Sequence, residues 1–103
     1  VGSGEEEEGI RLFRRALESD PGYVDAHNNL GVALVKTGRS EEGKKHFLRA
    51  AAIDPDDPAA YYNLALMALG EGREEEAAGY LDRVLKLAPD YGPARRLRER
   101  LGR

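Results

Sequence analysis

Asn29 and Asn63 stand 34 residues apart in a chain with few other side chains suited to specific chemistry. An Asn amide offers donors and an acceptor in one plane. It can therefore pair with the N–H and C=O of an extended peptide whatever that peptide's sequence. Two such amides on successive rungs of a repeated structure would hold a backbone at two points. The plainer reading of the same residues is a bond to a neighbouring helix end. Histidine occurs only at 27 and 46, on different helices of one repeat. No metal site is expected. His27 reads as a packed residue at the edge of the core, and His46 as facing solvent between Lys45 and Phe47. Catalysis needs a base, a nucleophile and an orienting group in one pocket. The serines, Ser3, Ser19 and Ser40, all fall at predicted ends or turns. Neither an enzyme nor a cofactor is expected.

The 103 residues make one domain, 41% hydrophobic and 34% charged, with net charge −3. That balance suits a globular chain with one modest core and provides no general basic field for nucleic acid. The absence of cysteine removes disulfides and thiolate zinc sites and leaves the redox compartment open. No apolar run approaches the length of a membrane span, and the start, Val1-Gly2-Ser3-Gly4-Glu5, carries no signal-like region. Cytoplasmic placement is the expectation, with the periplasm left open.

The elements that would position the two asparagines follow from a repeat. Pro21, Pro55 and Pro89 are spaced by 34, as are Gly4, Gly38 and Gly72, Ala26, Ala60 and Ala94, and Arg15, Arg49 and Arg83. Each period reads as helix, turn, helix. Residues 24–37 carry Ala26, Leu30, Ala33 and Leu34 at helical spacing. Gly38 ends that helix by accepting a left-handed backbone. Ser40 is placed to cap the next helix, 40–53, which presents Phe47, Ala50, Ala51 and Ile53 to the core. Asp57 and Pro58 restart the pattern as cap and first helical residue. Residues 58–70 then bury Ala60, Leu64, Met67 and Ala68, and residues 73–87 bury Ala77, Leu81, Val84 and Leu85. Gly9, Gly43 and Gly79 fall inside predicted helices, each expected to cost about 1 kcal/mol relative to Ala. No strand pattern is present. The ends read as half repeats, giving six helices: a half repeat at 5–23, full repeats at 24–57 and 58–91, and a capping helix at 92–103. Leu97 and Leu101 give that last helix one apolar face, with Arg98 and Glu99 on a wet one.

The spacing His27-x2-Leu30-Gly31-x2-Leu34, then Gly43-x3-Phe47 and Pro55, resembles the tetratricopeptide repeat. The next copy reads Tyr61-x2-Leu64-Ala65-x2-Ala68, then Ala77-x3-Leu81 and Pro89. His27 replaces the family's large aromatic, Leu34 and Ala68 its frequent Tyr, and Gly43 its usual Ala, which should loosen packing. The resemblance implies an all-α fold, a right-handed α-solenoid of antiparallel helix pairs. It also implies use as a protein-interaction scaffold, in which the first helix of each repeat lines a concave groove holding an extended peptide or a partner's helix.

On that basis the side chains left over on the first helices should line the groove: Asn28, Asn29, Val32 and Lys36, then Tyr62, Asn63 and Leu66, then Arg96 and Arg100. Several family members use Asn in the column of Asn29 and Asn63 to grip peptide backbone. One subgroup holds acidic chaperone tails with such an Asn plus a basic pair on a later helix. Here that pair falls on Ala59 and Asn63 or on Pro93 and Leu97, so the full clamp is absent. Residues 93–103 hold five Arg against one Glu, and residues 1–20 hold six acids against three Arg. With no aromatic interleaved among the arginines, nucleic-acid binding is not expected, and neither is a membrane. The alternative to a peptide-binding scaffold is a self-associating module whose oppositely charged terminal half repeats stack end to end. A monomer with weak end-to-end contacts is the expectation.

Overall fold

The computed structural model describes residues 4–102, so Ser3 and Arg103 lie outside the described residues. Six α-helices and no strand are found among the described residues: α1 (Gly4–Ser19), α2 (Val24–Lys36), α3 (Ser40–Ile53), α4 (Pro58–Gly70), α5 (Glu74–Leu87) and α6 (Gly92–Arg100). The contacts divide the chain after Pro55 into two compact units. The first packs α1 on α2 and α2 on α3, and the second packs α4 on α5 and α5 on α6.

The repeat is visible in individual hydrogen bonds. At the end of α2, Arg39 N–H reaches back to Leu34 O (2.7 Å) and Gly38 N–H to Val35 O (3.1 Å). At the end of α4, Arg73 N–H reaches Ala68 O (2.8 Å) and Gly72 N–H reaches Leu69 O (3.1 Å). These paired bonds satisfy the last helical carbonyls and require a left-handed residue at their centre. Gly38 (φ 83°) and Gly72 (φ 77°) supply it. Three residues of turn then fold each second helix back antiparallel to its first. Because this turn runs straight into α3, Ser40 is already the first helical residue. Arg39 occupies the cap position without a side-chain bond, so the expected Ser40 cap does not form. Asp57 does cap α4, accepting from Ala59 N–H at 3.0 Å, with Pro58 opening the helix.

The core of the first unit joins Ile10 of α1 to Leu30 and Leu34 of α2, with Phe13 and Leu17 packed against them. In the second unit Ala65, Leu81, Val84 and Ala94 form the buried cluster, flanked by Tyr61, Tyr80, Leu85, Leu97 and Leu101. Ile53 is 40% exposed rather than buried. It is the last residue of α3, where the chain turns off into Asp54.

Gly43 has the opposite effect to the expected loosening. A methyl group at Gly43 would lie 2.8 Å from Gly31 O and 2.9 Å from Val35 Cγ2. One at Gly31 would lie 2.5 Å from Phe47 Cε1 and 3.0 Å from Gly43 O. Two glycines therefore let α2 and α3 approach to backbone contact and seat the Phe47 ring, which is 2% exposed. In the second unit the same columns read Ala65, Ala77 and Leu81. A smaller aliphatic side chain there leaves room for two methyl groups.

The same substitution should thus act with opposite sign at two helical glycines. Gly79 has open space around it, and Gly79→Ala should raise unfolding free energy by about 0.5–1 kcal/mol. Gly31→Ala should lower it by about 1–3 kcal/mol through overpacking, and adding Phe47→Leu should recover part of that loss. Urea titration of the three variants measures this. A stabilised Gly31→Ala chain would show that the two helices are not in backbone contact.

Candidate functional site

The faces of α2 have different fates. Ala26, Leu30 and Leu34 are buried, and Leu30 and Leu34 pack on Ile10 of α1, while Gly31 meets α3. What remains is a strip bearing Asn29, Val32, Ala33 and Lys36. With Glu6, Gly9 and Phe13 of α1, that strip lines an open cavity of about 290 Å³. Asn29 and Lys36 are exposed and Val32 is half-buried. The equivalent strip of α4 behaves likewise. Asn63 and Tyr62 join Asp57, Pro58, Ala59, Ala88 and Tyr91 around a cavity of about 340 Å³. Leu66, one turn further along α4, is 43% exposed. Among the described residues neither Asn29 nor Asn63 uses its amide in a hydrogen bond within the chain, so neither is bonded to a helix end.

Asn28 departs from the expected set. It is 6% exposed, and its Oδ1 is buried without a hydrogen-bond partner. One residue is about 100° of helical rotation. That step carries Asn28 away from the open face on which Asn29 lies, so it is no exposed groove residue. Arg96 and Arg100 are exposed as expected. Arg98, read as lying on the wet face of α6, instead folds onto α5, where Nε donates to Asp82 Oδ1 at 2.7 Å. Its long stem lets the guanidinium reach the neighbouring helix while covering apolar surface.

Ion pairs in the first unit form both between elements and within α1. Glu7 of α1 meets Arg39 at 2.6 Å, Arg14 of α1 meets Glu42 of α3 at 2.9 Å, and Glu8 pairs with Arg11 within α1. The Arg14 guanidinium bonding its carboxyl holds Glu42 below the usual carboxylate range. These pairs are exposed and contribute little each.

His46 is not solvent-facing between its neighbours. Its ring stacks on His27, with the two Nδ1 atoms 3.1 Å apart. His27 Nε2 lies 2.8 Å from Pro21 O and must carry the proton there, since a carbonyl only accepts. In neutral His27, Nδ1 is then the acceptor, and His46 Nδ1–H donates to it. The spacing of 19 residues hid this pair, because only the antiparallel fold of α3 on α2 brings the two together. Tyr61 and Tyr80 occupy the same two columns in the second unit, with Arg83 over the Tyr61 ring at 5.0 Å. His27 and His46 thus occupy columns that carry tyrosines in the second unit. No group of three His, Asp or Glu suited to a metal is found among the described residues.

With this geometry in place, the comparisons are decisive for family. The tetratricopeptide repeat profile matches residues 1–67, and a second tetratricopeptide repeat profile matches residues 58–91. The chain belongs to the tetratricopeptide repeat family, whose repeats generally serve as non-catalytic interaction modules. Among solved structures it is similar to the first such domain of Spaghetti (RPAP3) bound to the HSP90 peptide SRMEEVD. That match has TM-score 0.86 and 20% identity over 95% of this chain and 78% of the other. It is also similar to MamA, with TM-score 0.78 and 23% identity, covering 87% of this chain and 53% of that one. A mutant O-GlcNAc transferase from Thermobaculum terrenum matches with TM-score 0.84 and 26% identity, over 95% of this chain and 19% of the enzyme. No curated protein matches the sequence.

The histidine pair generates a pH prediction. Burial, then the neighbouring His27, lowers the pKa of His46 below the ordinary 6.5. Between 6.5 and that lower value the unfolded chain binds more protons than the folded one, so stability falls as pH falls. Charged neighbours around the ring are Arg14 of α1 and Glu42 and Arg49 of α3. Denaturant titrations at pH 7.5 and 5.5 should show lower stability at 5.5, with a smaller difference for His46→Gln. An equal difference in both chains would show that the histidine pair does not carry it.

Proposed function

We propose that the chain is a protein-interaction module that receives an extended peptide or a partner's helix on the outward faces of its first helices. The observation that carries this reading is the pair Asn29 and Asn63. They occupy one column of the repeat, each at the edge of an open cavity, and each amide is unused within the chain. Exposed Leu66 and half-buried Val32 and Tyr62 on the same faces offer apolar contact beside them, a mixture typical of contact surfaces. The RPAP3 domain shows that a fold of this kind holds a peptide. The basic pair that would hold an acidic chaperone tail is replaced here by Ala59 and Asn63 or by Pro93 and Leu97. A partner other than such a tail is therefore the better fit.

A monomer is the accompanying proposal. One cation that end-to-end stacking would use, Arg98, is already committed to Asp82 within its own unit. Peptides selected from a random display library against the whole chain test the function. Asn29→Ala with Asn63→Ala should weaken them by about 1–3 kcal/mol, two neutral hydrogen bonds at about 0.5–1.5 kcal/mol each. That is a loss of up to about a hundredfold in affinity. Unchanged affinity by titration calorimetry, with unchanged helix content, would remove the asparagines from the binding face.

A further inference from the structure

The cavity beside α4 has an unusual lining. Tyr62 and Tyr91 meet edge to face, their ring centroids 5.2 Å apart and their planes at 84°. Pro58, Ala59 and Ala88 complete the apolar walls, and the polar side chains at its edge are Asn63 and Asp57. The Asp57 carboxylate already accepts from Ala59 N–H, whereas Asn63 is uncommitted. On the α6 side, Gly92 leaves the space in which Arg96 lies, since a methyl group at Gly92 would sit 3.1 Å from the Arg96 guanidinium. Burial, then the neighbouring Tyr91, raises the Tyr62 pKa, and Arg96 opposes the rise. Among the described residues Arg96 and Arg100 have no carboxylate partner, unlike Arg98.

We propose that this pocket receives a proline of an extended peptide carrying acidic residues, with Asn63 bonding the peptide backbone and Arg96 pairing with a carboxylate. The proposal rests on the peptide-binding reading above and names the ligand class of its second-unit face. Three features select proline. Ring faces set at right angles form a notch that a compact five-membered ring can enter. A proline brings no N–H into walls that could not satisfy one, while the carbonyl before it remains for the Asn63 amide. A polyproline II segment also arrives already extended, so a shallow site loses less of its binding energy to ordering the ligand. Charge complementarity supplies the rest: unpaired Arg96 and Arg100 lie on the α6 side, and an acid there is drawn to them.

The probe is acetyl-Ala-Pro-Pro-Ala-Glu-Glu-amide, titrated into the ¹⁵N-labelled whole chain and followed by NMR. Saturable shifts are expected at Tyr62, Asn63, Tyr91 and Arg96. Replacing both prolines of the peptide by alanine should weaken binding at least about tenfold, and replacing both glutamates by glutamine severalfold. Arg96→Gln should reduce the difference between the Glu and Gln peptides, and Arg96→Gln with Arg100→Gln should abolish it. Tyr91→Ala should lose binding while its amide spectrum stays that of a folded chain, and Tyr91→Phe, which keeps the ring wall, should retain binding. Equal binding of the alanine peptide, or no shifts at these residues, would overturn the proposal. Shifts confined to Asn29, Val32 and Lys36 would overturn it too, while leaving peptide binding by the first unit intact.

Discussion

Where α2 crosses α3, Gly31 and Gly43 face each other with no room for a methyl group on either. That approach determines much else in the first unit. It seats the Phe47 ring in the space that the missing side chains leave. It also brings the neighbouring turns of the two helices close enough for His27 and His46 to share a hydrogen bond. The glycine turn at Gly38 aligns the two helices for this contact. Once α2 has used one side against α3 and another against α1, only the strip through Asn29 and Lys36 remains open. The binding face is thus what packing leaves over. It mixes exposed polar Asn29 and Lys36 with half-buried Val32 and Ala33.

The second unit reaches the same arrangement with different volumes. Ala65, Ala77 and Leu81 replace Gly31, Gly43 and Phe47, trading ring volume for methyl groups. Tyr61 and Tyr80 replace the histidine pair. The outward strip keeps its asparagine but gains an aromatic partner in Tyr91, which turns an open face into a notch. The electrostatics differ as well. In the first unit Arg14 and Arg39 are paired with acids on other helices. In the second, Arg98 is paired and Arg96 and Arg100 stay available. A ligand with both an apolar ring and a negative charge suits the second face better than the first.

Much of this was legible in the sequence because one period organises it. The 34-residue spacing of Pro, Gly and Ala marks helices, turns and buried columns together, and the Asn column follows from the same register. Other features required three dimensions. Gly43 reads as a weak helix former until its neighbour across the crossing is known, and only the clash with Gly31 O shows its use. Asn28 adjoins Asn29 in sequence, yet 100° of rotation separates a buried amide from an exposed one. Arg98 reads as a solvated charge until Asp82, sixteen residues earlier, is brought beneath it. Tyr91 lies in a turn, outside any helical stripe, so no helical periodicity marks it as part of a site.

The central claim is that binding takes place on the faces of the first helices that packing leaves open. The most direct measurement is amide hydrogen exchange of the whole chain, free and saturated with a library-selected peptide. Side chains of α2 and α4 form the outward strips, so the account predicts added protection in those helices and in the turn holding Tyr91, with α3 and α5 unchanged. Protection concentrated in α3 and α5, around exposed Leu48 and Arg83, would contradict it and place the binding surface on the opposite side of each helix pair.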